Sequence, residues 1–165
     1  MWCIPGLRGI LRKEGTIMAA TEAKVVTRPM EPEDIDAVLE IDRKISGVRR
    51  AVTYTNLLTD YLGGVLDLSF VAEANGQVVG FILARLAYVG EPVTEAGLIQ
   101  ILGVDPDYWR KGIASMLVDA LLENCRPKGI KTVRVTVNER DSQLRDFFER
   151  MHFRRGELID YSKVL

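Results

Sequence analysis

The stretch that most restricts how this chain can fold is residues 98–122, LIQILGVDPDYWRKGIASMLVDALL. Its first part, Leu98, Ile99, Ile101, Leu102 and Val104, is apolar on both faces and predicts a central strand covered on both sides. Asp105-Pro106-Asp107 stops that strand, because Pro106 cannot donate to a ladder and aspartates favour turns. Ile113, Met116, Leu117, Ala120 and Leu121 then recur at helical spacing. A second alternating segment follows at Lys131–Val137, with Val133, Val135 and Val137 against Lys131, Arg134 and Thr136. Strand, helix and strand in this order predict a right-handed crossover between parallel neighbours.

The turn between strand and helix carries a cost. Arg110 and Lys111 stand at the expected helix start, where each cation opposes the helix dipole by ~0.3–1 kcal/mol. Gly112, expected inside the first turn, costs a further ~1 kcal/mol relative to alanine. Two explanations fit. Either these are solvated charges beside an incidental glycine, or the turn is built for an anion. In the second case the unpaired amide N–H groups of the helix start face outward, and Gly112 lets a ligand approach the backbone closely.

The segment V-D-P-D-Y-W-R-K-G-I-A resembles the acetyl-CoA pyrophosphate loop of the GNAT superfamily of N-acetyltransferases. That pattern is a strand ending in V-x-P, followed by Q/R-x-x-G-x-G/A. Val104, Pro106, Gly112 and Ala114 match it, and Trp109 replaces the usual Gln or Arg. The resemblance implies an α/β fold with a mixed, mostly antiparallel central sheet, a splayed parallel strand pair, and helices on both faces. It also implies acetyl-CoA as co-substrate and direct transfer of acetyl to a primary amine. V-D-P-D-Y and the position of Glu95 are similar to ribosomal-protein-type N-terminal acetyltransferases.

The same resemblance assigns the site residues. Pantetheine pairs with the backbone of Leu102, Gly103 and Val104. The diphosphate sits among Trp109, Arg110, Lys111, Gly112, Ile113, Ala114 and Ser115. Asn138 and Phe148 complete the cofactor contacts. Gly103 is expected to ease a bulge or to permit close strand packing. Asn138 either touches the cofactor or is a turn asparagine bonded to its own backbone. The closing motif D-x-x-L-x-x-F-F-E-R-x-H-F departs from the family twice. Phe148 takes the place of a tyrosine that protonates the departing thiolate, and His152 takes the place of a glycine. Tyr108, Tyr88 or a water would stand in for the missing acid. A carboxylate must remove the amine's proton, and Glu95 is the leading base, with Glu91 a weaker alternative.

Elsewhere the chain predicts a strand at Val25–Arg28, a helix at Asp34–Lys44 and a second helix at Thr53–Leu62. Strands at Leu68–Ala74 and Val78–Ala87 are joined by Asn75-Gly76, the strongest hairpin signal present. Val89–Thr94 is a loop. Asp141 or Ser142 caps a helix with Leu144, Phe147, Phe148 and Met151 on one face. Phe153–Leu165 is expected to add one or two final strands. Residues 1–23 read as an appendage, an extended start or an arm, ahead of a single domain at 24–165.

A net charge of −1 without a basic block argues against a protein built for duplex nucleic acid, though it leaves room for a local basic patch. Two cysteines and one histidine give neither a disulfide framework nor a His-rich metal site. No apolar run reaches the ~20 residues of a membrane span, and the first residues make no convincing signal peptide. A cytoplasmic protein that meets no membrane is expected. Its partner would be an amine, on a peptide N-terminus, a lysine or a small molecule. Dimers are common in the family, and nothing in the sequence specifies one. Phe148 also motivates an alternative, an acyl-CoA-binding module with little catalysis.

Overall fold

The computed structural model describes residues 24–48, 68–88, 95–159 and 161–165. The expected appendage at 1–23, the helix at Thr53–Leu62 and the loop at Val89–Thr94 lie outside the described residues. The strands are β1 (Val25–Pro29), β2 (Phe70–Ala74), β3 (Gln77–Tyr88), β4 (Glu95–Val104) and β5 (Val133–Val135), and the helices are α1 (Ile35–Ser46), α2 (Ile113–Cys125) and α3 (Ser142–Arg150). They form one five-stranded sheet in the order β1-β2-β3-β4-β5. All neighbours are antiparallel except β4 and β5, which run parallel across the α2 crossover.

The hairpin forms where Asn75-Gly76 predicts it. Both residues adopt positive φ, 52° and 78°, the geometry a two-residue type I′ turn requires. Alternation along β3 then sorts the core into two layers. Ile82 and Ala84 join Leu117, Leu121 and Phe148 on the α2 and α3 face, while Phe81 and Leu83 meet Val38 and Ile41 of α1 on the other. Each fully buried aliphatic or aromatic side chain of this kind contributes ~1.5–3 kcal/mol. Arg28 of β1 holds the start of α1 against the sheet, forking onto Asp34 at 2.7 and 2.8 Å and reaching Glu73 of β2 at 3.0 Å.

Three expectations are corrected. Phe153–Leu165 adds no strand among its described residues. Beyond Phe153, which packs against the core, its apolar residues such as Ile159 and Leu165 remain exposed. The Lys131–Val137 strand shortens to three residues, because β4 and β5 pair only from Gly97↔Val133 to Ile99↔Val135. The bulge in β4 falls at Gln100 rather than at Gly103. Leu83 faces Ile101 and Ala84 faces Ile99, which leaves Gln100 as the extra residue. One extra residue exchanges the faces of everything beyond it. Ile99 accordingly packs toward α2, whereas Ile101, two positions on, packs toward α1.

Candidate active site

The parallel pair opens past Ile99. β4 runs on to Val104 while its pairing with β5 stops at Val135, so among the described residues the final stretch of β4 pairs on the β3 side only. Backbone groups alternate between the two edges of a strand. Asp105 donates its N–H to Val79 at 2.9 Å, on the β3 side. By alternation Gly103 and Ile101 also turn their backbone groups to β3, and Leu102 and Val104 turn theirs to the open edge. Of the Leu102, Gly103 and Val104 backbone groups expected to meet a ligand, Gly103's therefore face the wrong way. Gly103 serves packing instead: a Cβ there would lie 2.6 Å from Cε1 of the buried Phe81 ring.

The turn after β4 is fixed at both ends. Asp105 Oδ1 accepts the N–H of Asp107 at 3.1 Å, and Oδ2 accepts Lys44 Nζ of α1 at 2.6 Å. The hydrogen bond to Asp105, reinforced by that residue's charge, outweighs desolvation and raises the Lys44 ammonium above its ordinary pKa. Trp109, half-buried, sends its indole Nε1–H back to the carbonyl of Val104 at 2.7 Å. Lys111 lies over the Tyr108 ring, 4.5 Å from its centroid, a cation–π contact.

Next comes a reversal. Arg110 and Gly112 take positive φ of 64° and 77°, and both are exposed, as is Lys111. Gly112 is the N-cap of α2 rather than an interior residue, and its left-handed backbone is one glycine adopts without penalty. The helix-interior cost and the two first-turn cations read from the sequence are thus absent, since α2 has no charged residue in its first turn. Among the described residues no side chain caps α2, and the first intrahelical bond runs from Met116 N–H to Gly112. The N–H groups of Ile113, Ala114 and Ser115 lie ahead of that bond. A Cβ on Gly112 would meet no atom of the described residues within 4 Å. Ile113 itself is buried under the sheet, which fixes the helix start. Uncapped amides, the positive end of a helix dipole, two nearby exposed cations and open space beside Gly112 together suit a polyanionic ligand.

The remaining candidates have partners of their own or lie elsewhere on the sheet. The exposed Asn138 accepts the N–H of Arg140 on its side-chain oxygen at 2.9 Å, the turn role foreseen as its alternative. Phe148 is buried, and its ring stacks edge-on against Phe147 and Phe153 at 5.0 and 5.2 Å. It serves the core. Glu95 is exposed at the amino end of β4, opposite Tyr88. At ~3.3 Å per residue it stands roughly 16 Å from Gln100 along the strand. His152 occupies a left-handed position, φ 63°, just past α3. His152 N–H meets Glu149 and Phe153 N–H meets Phe148, both at 2.9 Å, the paired bonds of a Schellman ending. That conformation explains why the related motif has glycine there.

A match to the acetyltransferase (GNAT) family spans residues 35–153. The chain belongs to that family. Among GNAT relatives, an uncharacterized N-acetyltransferase of Methanocaldococcus jannaschii is 28% identical over 94 residues, 56% of this chain and 42% of that protein. The chain thus spans less than half of that relative's length. An aminoglycoside N-acetyltransferase in complex with CoA superimposes with a TM-score of 0.76 at 14% identity, covering 89% of this chain and 99% of that one. The ribosomal-protein-S18-alanine N-acetyltransferase of Escherichia coli gives 0.67 at 19% identity, covering 81% and 79%. Both structures share the GNAT fold with this chain. No helix among the described residues is long and apolar enough to cross a membrane.

Proposed function

We propose that this GNAT chain is an acetyl-CoA-dependent N-acetyltransferase that moves an acetyl group directly to a primary amine. The uncapped start of α2 carries the assignment, because it faces outward beside the opened edge of β4. Its amides and Arg110 hold the cofactor's diphosphate. The pantetheine arm then runs back along β4, adding as a strand would to the groups that Leu102 and Val104 direct outward. Its thioester end lies toward the apex of the wedge at Gln100.

Chemistry follows from that placement. The neutral amine attacks the thioester carbonyl, a C–N bond forms, the C–S bond breaks, and CoA leaves as thiolate. A backbone N–H on the open edge of β4 stabilises the oxyanion. Glu95 takes the amine's proton through a water chain, as its distance along the strand demands. The thiolate takes its proton from water or from Tyr108, since Phe148 has none to give; a free thiol's pKa near ~8.5 makes it a tolerable leaving group. The acceptor belongs to the class shared by peptide N-termini, lysines and small-molecule amines.

The burial of Phe148 in the core favours a second reading, an acyl-CoA-binding module with little turnover. Thiol release from acetyl-CoA across a panel of peptide, lysine and aminoglycoside amines separates the two. Amine-dependent release supports the enzyme. CoA binding without release from any amine supports the module. E95Q is expected to slow release most at low pH, and an unaltered pH profile would clear Glu95 of the base role.

A further inference from the structure

We propose that Trp109 is a positioning residue: its indole N–H is a strut that holds the anion-binding turn in register with the end of β4. This rests on the cofactor placement above. The side chain sits where related loops carry Gln or Arg, and its Nε1–H closes onto the Val104 carbonyl at 2.7 Å in a half-buried setting.

Two consequences follow from where that carbonyl points. Val104 directs its backbone to the edge that β5 leaves, so its carbonyl would otherwise be the last acceptor on the edge available to an added strand. With the indole on it, an arm docking there pairs only with the Val104 N–H and the groups of Leu102. The strut therefore ends the ladder and sets the arm's register. It also ties the residue immediately before Arg110 to the strand. Asp105, bonded to Lys44 and to the Asp107 N–H, pins the turn's other end. Between Trp109 and the buried Ile113 only Arg110, Lys111 and Gly112 span the reversal, so the amides of α2 stay aimed while the cofactor arrives. A glutamine at this position carries an N–H donor as many bonds from Cβ as the indole Nε1. The strut is thus a function the position can serve with either residue, and phenylalanine cannot serve it.

The test uses the full chain, with CoA as the calorimetric probe and acetyl-CoA in the thiol-release assay. W109F is expected to raise the Kd for CoA and the KM for acetyl-CoA about tenfold, with kcat within twofold. W109Q is expected to recover most of that loss. Equal affinity in W109F and the unsubstituted chain overturns the strut. So does W109Q binding as weakly as W109F, which would assign the effect to ring packing. Failure of the unsubstituted chain to bind CoA overturns the cofactor placement, and the strut with it. A second measurement leaves Trp109 in place. In W2F the Trp109 indole N–H gives the single tryptophan side-chain signal, and its slow hydrogen exchange is expected to persist at saturating CoA. Loss of that protection on binding would show that the indole leaves Val104, which overturns the strut.

Discussion

Helices α2 and α3 both follow a strand of the parallel pair, and they begin in opposite ways. At α3 the protein closes its own helix end: Asp141 Oδ1 accepts the Leu144 N–H at 3.0 Å, and its carbonyl accepts Arg145. At α2 the equivalent position is Gly112, with no side chain to offer and a left-handed backbone. One helix start is satisfied internally, and the other leaves its amides to something that binds. A capping side chain is worth roughly a few tenths of a kcal/mol over glycine, so the uncapped start of this buried helix is a small stability concession. The difference marks which of two similar strand-to-helix junctions is the site.

The largest test of that contrast is G112D, which gives α2 the residue type that closes α3. The new carboxylate competes for the same amides and repels a diphosphate, and CoA affinity is expected to fall about a hundredfold, or ~2.7 kcal/mol by calorimetry. Folding is expected to change by only ~1 kcal/mol, because aspartate tolerates the left-handed region better than most residues. G103A comes next. Its methyl would press on Phe81 at 2.6 Å, and denaturant melts are expected to show a loss of about 1–3 kcal/mol. D141A removes the cap at α3 and is expected to cost ~1 kcal/mol of stability while leaving the Kd for CoA within twofold. A comparable loss of CoA affinity would erase the distinction between the two helix starts. H152G is the smallest effect. It relieves a left-handed histidine at ~1–2 kcal/mol against ~0.5–1 kcal/mol of glycine entropy, so the melt is expected to rise by a net ~0.5–1 kcal/mol.

Much of this was legible in the residues. Asn75-Gly76 placed its hairpin, Asp141 its cap, and the apolar run at 98–104 its central strand, because each signal is local. Their physical basis lies in a few neighbouring torsions or in side-chain alternation. What the sequence hid depends on neighbours distant in the chain. The alternation through Val137 continues past the point where β5 loses its partner, and nothing within it reports the divergence. The bulge at Gln100 is fixed by pairing against Leu83 and Ala84, and of the two roles open to the glycine three residues on, close packing against Phe81 is the one it serves. Gly112 looked like a helix defect because the periodic pattern does not say where the helix begins. Trp109 read as a departure from a motif; only its bond to Val104 gives it a role. His152 read only as a histidine in a glycine's place; its left-handed backbone shows why a glycine would suit the position.

The central claim is that the amides opening α2 grip the cofactor's diphosphate, and amide chemical shifts during a CoA titration test it most directly. Saturable shifts are expected at Gly112, Ile113, Ala114 and Ser115, with Leu144 at the closed start of α3 unmoved. Saturable CoA binding that leaves those four signals in place and moves others would contradict it.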